Sequence, residues 1–114
     1  MSSTKTMLPL AAAIACTISA TSADAASAQD VAIDYVRVTE KGAFEVRATQ
    51  PIDPLCADGG LIFTVAPHKN GVSGDGAKAL LSIALTAYSL ENPIDVVFDT
   101  SSAECFASEI LIAR

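Results

Sequence analysis

Apolar and polar positions alternate along several short stretches of the chain, and these stretches mark its strands. Over 31–39, Val31, Ile33 and Tyr35 share one parity while Val36 and Val38 take the other. That switch predicts a strand with a bulge or strong coil near Tyr35-Val36. Lys41-Gly42 makes a turn, after which Phe44, Val46 and Ala48 alternate with Glu45 and Arg47. This second, half-buried strand forms a hairpin with the first. Residues 61–66 are apolar on both parities and read as a third, well-buried strand. Ile94, Val96 and Phe98 alternate with Asp95, Val97 and Asp99 as a fourth, and Ile110-Leu111-Ile112 centres a fifth.

Between the third and fourth strands the period changes. Residues 75–92 carry a helix, with Asp75 as N-cap and Asn92-Pro93 as the stop. Ala77, Leu80, Leu81, Ala84 and Tyr88 fall on one face, which is expected to meet the core. Ile83, Leu85, Ala87 and Leu90 are apolar too, so the polar remainder is the narrow stripe Lys78, Ser82, Thr86 and Ser89. A helix apolar around so much of its circumference needs a second covering surface, and a neighbouring subunit is the economical source, with Leu85 and Leu90 at that interface. The order β-β-β-α-β-β predicts a mainly β fold with one helix, arranged as an OB-fold-like five-stranded barrel.

The first residues read as a targeting segment. Lys5 precedes an apolar run over 7–20 that is too short and too interrupted by Thr and Ser to span a bilayer. Small-residue cleavage triplets follow at Ala23-Asp24-Ala25 and Ala26-Ser27-Ala28. The expected organisation is a signal peptide over 1–25, with cleavage as late as 28 also compatible, a short leader over 26–30 and a single domain over 31–114. The expected location is secreted or periplasmic. A competing scheme treats Ala13-Ile14-Ala15-Cys16 as a lipoprotein box and anchors the chain through Cys16.

Either scheme removes Cys16 as a free thiol and leaves Cys56 and Cys105, which in an exported domain allow one intramolecular pairing. A bridge between them closes a loop of about 50 residues, which in the chain-entropy description stabilises by ~4 kcal/mol. Neither cysteine has a second Cys or His at ligand spacing, so no metal site is expected.

Composition adds limits. The 114 residues are 51% hydrophobic and 18% charged, enough for a core and too apolar for disorder. A net charge of −6 with seven Lys and Arg argues against a nucleic-acid partner. Without its leader the domain has roughly 88 residues, a size at which a single core benefits from extra fastening.

No constellation for catalysis or cofactor binding emerges. The loop Gly71-Val72-Ser73-Gly74-Asp75-Gly76 fits neither nucleotide-binding glycine pattern, and Asp75 would repel phosphate. His68 is the sole histidine and lies beside Lys69 in the same loop, which makes a triad with serines such as Ser101-Ser102 improbable. Asp95 and Asp99 are separated by ~13 Å of strand rise, beyond the ~5–9.5 Å of paired glycosidase carboxylates.

Several elements together carry a family resemblance. They are Cys56 before the third strand, the helix segment Ala77-Lys78-Ala79-Leu80-Leu81-Ser82-Ile83-Ala84-Leu85-Thr86-Ala87-Tyr88, the strand Pro93-Ile94-Asp95-Val96-Val97-Phe98-Asp99, and Cys105. In these the chain resembles small exported bacterial proteins related to the receptor-binding B subunit of subtilase cytotoxin, and more loosely the pentameric B subunits of other toxins. The resemblance implies a Cys56–Cys105 disulfide, a ring of five subunits with Lys78, Ser82, Thr86 and Ser89 facing a central pore, and binding instead of catalysis. No aromatic-rich loop corresponds to the toxin subunit's sugar-binding surface, so no glycan-contact residue carries over. The expected function is therefore a non-catalytic exported module that recognises a glycan or protein partner as a homo-oligomer. The alternative is a monomeric structural, accessory or inhibitor protein of the bacterial envelope.

Overall fold

The computed structural model describes residues 25–113. The leader before Ala25 and the alternative lipid site Cys16 lie outside the described residues. Within them the chain runs β1 (Ala25–Val31), β2 (Ile33–Val38), a 3-10 turn (Glu40–Gly42), β3 (Phe44–Ala48), a single helical turn α1 (Ala57–Gly60), β4 (Ile62–Val65), α2 (Gly74–Leu90), β5 (Ile94–Asp99) and β6 (Ala107–Ile112). The strands form two three-stranded antiparallel sheets, ordered β1-β5-β6 and β2-β3-β4.

The expected first strand is thus two strands, and the expected leader over 26–30 belongs to the first of them. Ala26 and Ala28 alternate inward against the core while Ala25, Ser27 and Gln29 face out. Alanine, serine and glutamine carry little intrinsic strand preference, and pairing with β5 supplies the order instead. Only Ala32 separates β1 from β2, and Asp30 takes a left-handed φ of 55° just before it. The chain bends there and crosses from one sheet to the other, with the Ala32 carbonyl accepting from Thr49 N–H and the Asp95 carboxylate accepting from Asp30 N–H. The bulge expected near Tyr35 exists one step earlier: the β2–β3 register slips between Ile33↔Ala48 and Tyr35↔Arg47.

At the other side the sheets meet through one isolated parallel bridge, Thr64↔Phe106, without closing into a continuous barrel ladder. The Cys56–Cys105 disulfide reinforces this seam, with a Cα–Cα distance of 5.5 Å and both residues buried. Beside it, Ala57 N–H donates to Ala103 O and Thr64 N–H to Glu104 O. Gly60 shows why this turn needs glycine: its φ is 92°, and an added Cβ would lie 2.6 Å from the Asp53 carbonyl oxygen.

The core fills the space between the sheets. Phe44, Val46, Phe63 and Val65 enter from one sheet, and Ile94, Val96 and Phe98 from the other, all essentially without solvent exposure. Burying such side chains stabilises the fold by ~1.5–3 kcal/mol each before entropy is counted. The observed bounds of β5 and its inward set match the alternation in the sequence. The third expected strand, by contrast, is fully buried on one parity only, since Ile62 and Thr64 are partly buried.

Helix α2 packs against β6 of one sheet and β2 of the other. Its N-cap is Ser73, whose hydroxyl oxygen accepts from Gly76 N–H at 2.9 Å; Asp75, the cap expected from the sequence, lies in the first turn. Both residue types can cap, and the extended backbone at Ser73 decides between them. The helix ends at Leu90, two residues before the expected stop. Glu91 follows in the left-handed conformation, and the Glu91 and Asn92 N–H groups satisfy the Tyr88 and Ala87 carbonyls.

Candidate functional site

The residues that look outward from α2 form the candidate site. Its inward side consists of Ala77, Ala84 and Ala87, each buried, with Leu80, Leu81 and Ile83 partly buried at the margins. Tyr88, expected on this face, is 45% exposed, so that expectation is corrected. Tyr88 stands in the last turn of the helix, where Ser89, Leu90 and Glu91 are exposed as well, beyond the buried run that ends at Ala87.

The outward side carries the expected polar stripe. Lys78, Ser82, Thr86 and Ser89 are all exposed, and Thr86 donates its hydroxyl to the Ser82 carbonyl. At 3.6 residues per turn, neighbours on the helix are offset by about 100°. Leu85 and Tyr88 therefore border one flank of the stripe, and Ala79 and Leu90 the other. Leu85 is 42% exposed and Leu90 62%, although both are large apolar groups on a rigid element. A single exposed leucine is ordinary on a protein surface; apolar residues on both flanks of one polar stripe are a pattern.

The other residues considered for chemistry are dispersed. His68 is exposed, with a left-handed φ of 66°, in the loop between β4 and α2. That loop is fastened to β6's approach: Asn70 Nδ2 donates to the Phe106 carbonyl at 2.9 Å, and Lys69 Nζ sits 5.6 Å from the Phe106 ring centroid. The two strand carboxylates serve the backbone. Asp95 accepts from Asp30 N–H and Asp99 from Ser101 N–H. Among the described residues no group of three or more His, Cys, Asp or Glu side chains could hold a metal ion. An open groove of about 550 Å³ crosses the β1-β5-β6 sheet, lined in part by Ser27, Gln29, Asp95, Val97, Glu109 and Leu111.

Among the described residues charge pairing is concentrated on the β2-β3-β4 sheet, and it escaped the sequence reading. Arg47 pairs with Asp34 of β2 at 3.4 Å and with Asp58 of α1, tying both to β3. Arg37 bonds Glu45 directly across the ladder at 2.5 Å. That hydrogen bond, then the charge attraction of Glu45 and of Tyr35, raises the already high pKa of the exposed Arg37 guanidinium. Glu45 and Arg47 were legible as outward residues; the partner of Arg47 across the Cys56 turn was not, because Asp58 reaches it only through the left-handed backbone at Asp58 and Gly59.

No protein-family model, curated protein or solved structure matches this chain. No helix among the described residues is long and apolar enough to cross a membrane.

Proposed function

We propose that the chain is an exported, non-catalytic binding module that assembles with copies of itself through the two flanks of α2 and presents its sheets to a glycan or protein partner. The observation that carries this reading is the placement of Leu85 and Tyr88 on one side of the polar stripe and Leu90 on the other. Two different flanks of one helix make a heterologous contact, which closes into a ring when the rotation allows it. In such a ring Lys78, Ser82, Thr86 and Ser89 would line the axis, as the resemblance to toxin B subunits implies. An OB-type arrangement is consistent with a strand pair that crosses between two sheets at Ala32, a helix inserted before β5, and the parallel Thr64↔Phe106 bridge.

The substitution Leu85→Glu tests the reading. It should leave the protomer folded with a cooperative melting transition, while the assembled species seen by light scattering at micromolar concentration dissociates. An assembly that survives the charge at position 85 would contradict it.

A further inference from the structure

The β1–β5 ladder discriminates between the two cleavage triplets near the start of the chain, and the inference drawn from it rests on the reading of an exported protein. The ladder pairs Ala25↔Asp99, Ala26↔Phe98, Ser27↔Val97 and Ala28↔Val96, then slips before Val31↔Ile94. Four of these five pairs therefore involve residues 25–28. A cut after Ala25 keeps the pairs of Ala26, Ser27 and Ala28. A cut after Ala28 removes all three and leaves Val31 as the sole residue of β1 in register.

The loss would fall on the middle of a sheet. β5 lies between β1 and β6, and its Val96 and Phe98 are each about 1% exposed. Ala26 and Ala28 pack against that core. Without them β5 becomes an edge, with backbone N–H and C=O groups open beside buried Phe98, and unpaired edges of this kind cost stability and invite association. The shortened chain would also start within the irregular Gln29-Asp30 step, where the register slips and Asp30 has positive φ.

We infer that the Ala25–Ala26 peptide bond is the processing site and that the Ala26-Ser27-Ala28 triplet is retained as a strand of the mature fold. The reaction is hydrolysis by the host's signal peptidase, with water as co-reactant. The C–N bond breaks, Ala25 leaves as a carboxylate with the leader, and Ala26 keeps the new amino group.

The test is intact-mass and N-terminal analysis of the full chain exported by a bacterial host. The expected product begins at Ala26. A product beginning at Gln29 overturns the inference while leaving export intact. A chain that retains its leader, or one that begins at a lipid-modified Cys16, overturns the inference together with the signal-peptidase scheme. A second measurement is independent of the host: chains made to start at Ala26 and at Gln29 are melted side by side. The Gln29 chain should melt lower by roughly 10 °C or show no cooperative transition, and equal melting of the two would also overturn the inference.

Discussion

The inner and outer sides of α2 are built from opposite kinds of side chain. Toward the sheets the helix presents alanines, Ala77, Ala84 and Ala87, buried to 2% exposure or less; toward solvent it presents Leu85, Tyr88 and Leu90. A helix covering a core in isolation would gain most by turning its large residues inward, since buried apolar area scales with side-chain size. Here the fully buried positions are alanines, with Leu80, Leu81 and Ile83 only partly buried beside them. Leu85 and Leu90 stay outside, where the proposed contact with another copy would use them. The inner side thus serves the fold, the outer side is the one the proposed assembly would use, and the two should respond differently to change.

The largest expected effect on the fold that the inner side serves lies at the covalent seam. Reducing Cys56–Cys105, which spans 49 residues of sequence, should lower unfolding stability by ~4 kcal/mol, measured by denaturant titration with and without reductant. Alkylation of the native chain without reductant should label neither cysteine; labelling of both would refute the bridge. Next is Ala84→Leu, which adds volume at a position with no exposure. It should cost ~1–3 kcal/mol by lifting the helix off the strands, and an unchanged melting curve would show that the inner face has slack. Smaller still, Ser73→Ala removes the cap that accepts from Gly76 N–H and should cost about 1 kcal/mol. Loss of that size at Asp75→Ala instead would return the cap to the residue expected from the sequence.

Legibility followed the same division. Where burial is one-sided and the residues are β-branched or aromatic, as in Ile94, Val96 and Phe98, alternation alone locates the strand and its inward set. β1 escaped because Ala26 and Ala28 bury methyl groups too small to stand out against Ser27 and Gln29; its order comes from β5, far along the chain. The faces of α2 were half legible. The stripe Lys78, Ser82, Thr86 and Ser89 could be read because its residues are polar, but Tyr88 shares a face with Ala77 and Ala84 by helical spacing, which does not register where along the helix the contact with the sheets ends. The disulfide followed from counting cysteines, whereas the Arg47 pairs depended on the left-handed turn at Asp58-Gly59 that periodicity does not describe.

Self-assembly through the outer side of α2 is the central claim, and the mass of the particle in solution tests it most directly. Sedimentation equilibrium of a chain starting at Ala26 at micromolar concentration should give a whole-number multiple of the protomer mass above two, as a ring built from two unlike flanks requires. A strict monomer at that concentration, with the disulfide intact and the fold cooperative, would contradict it.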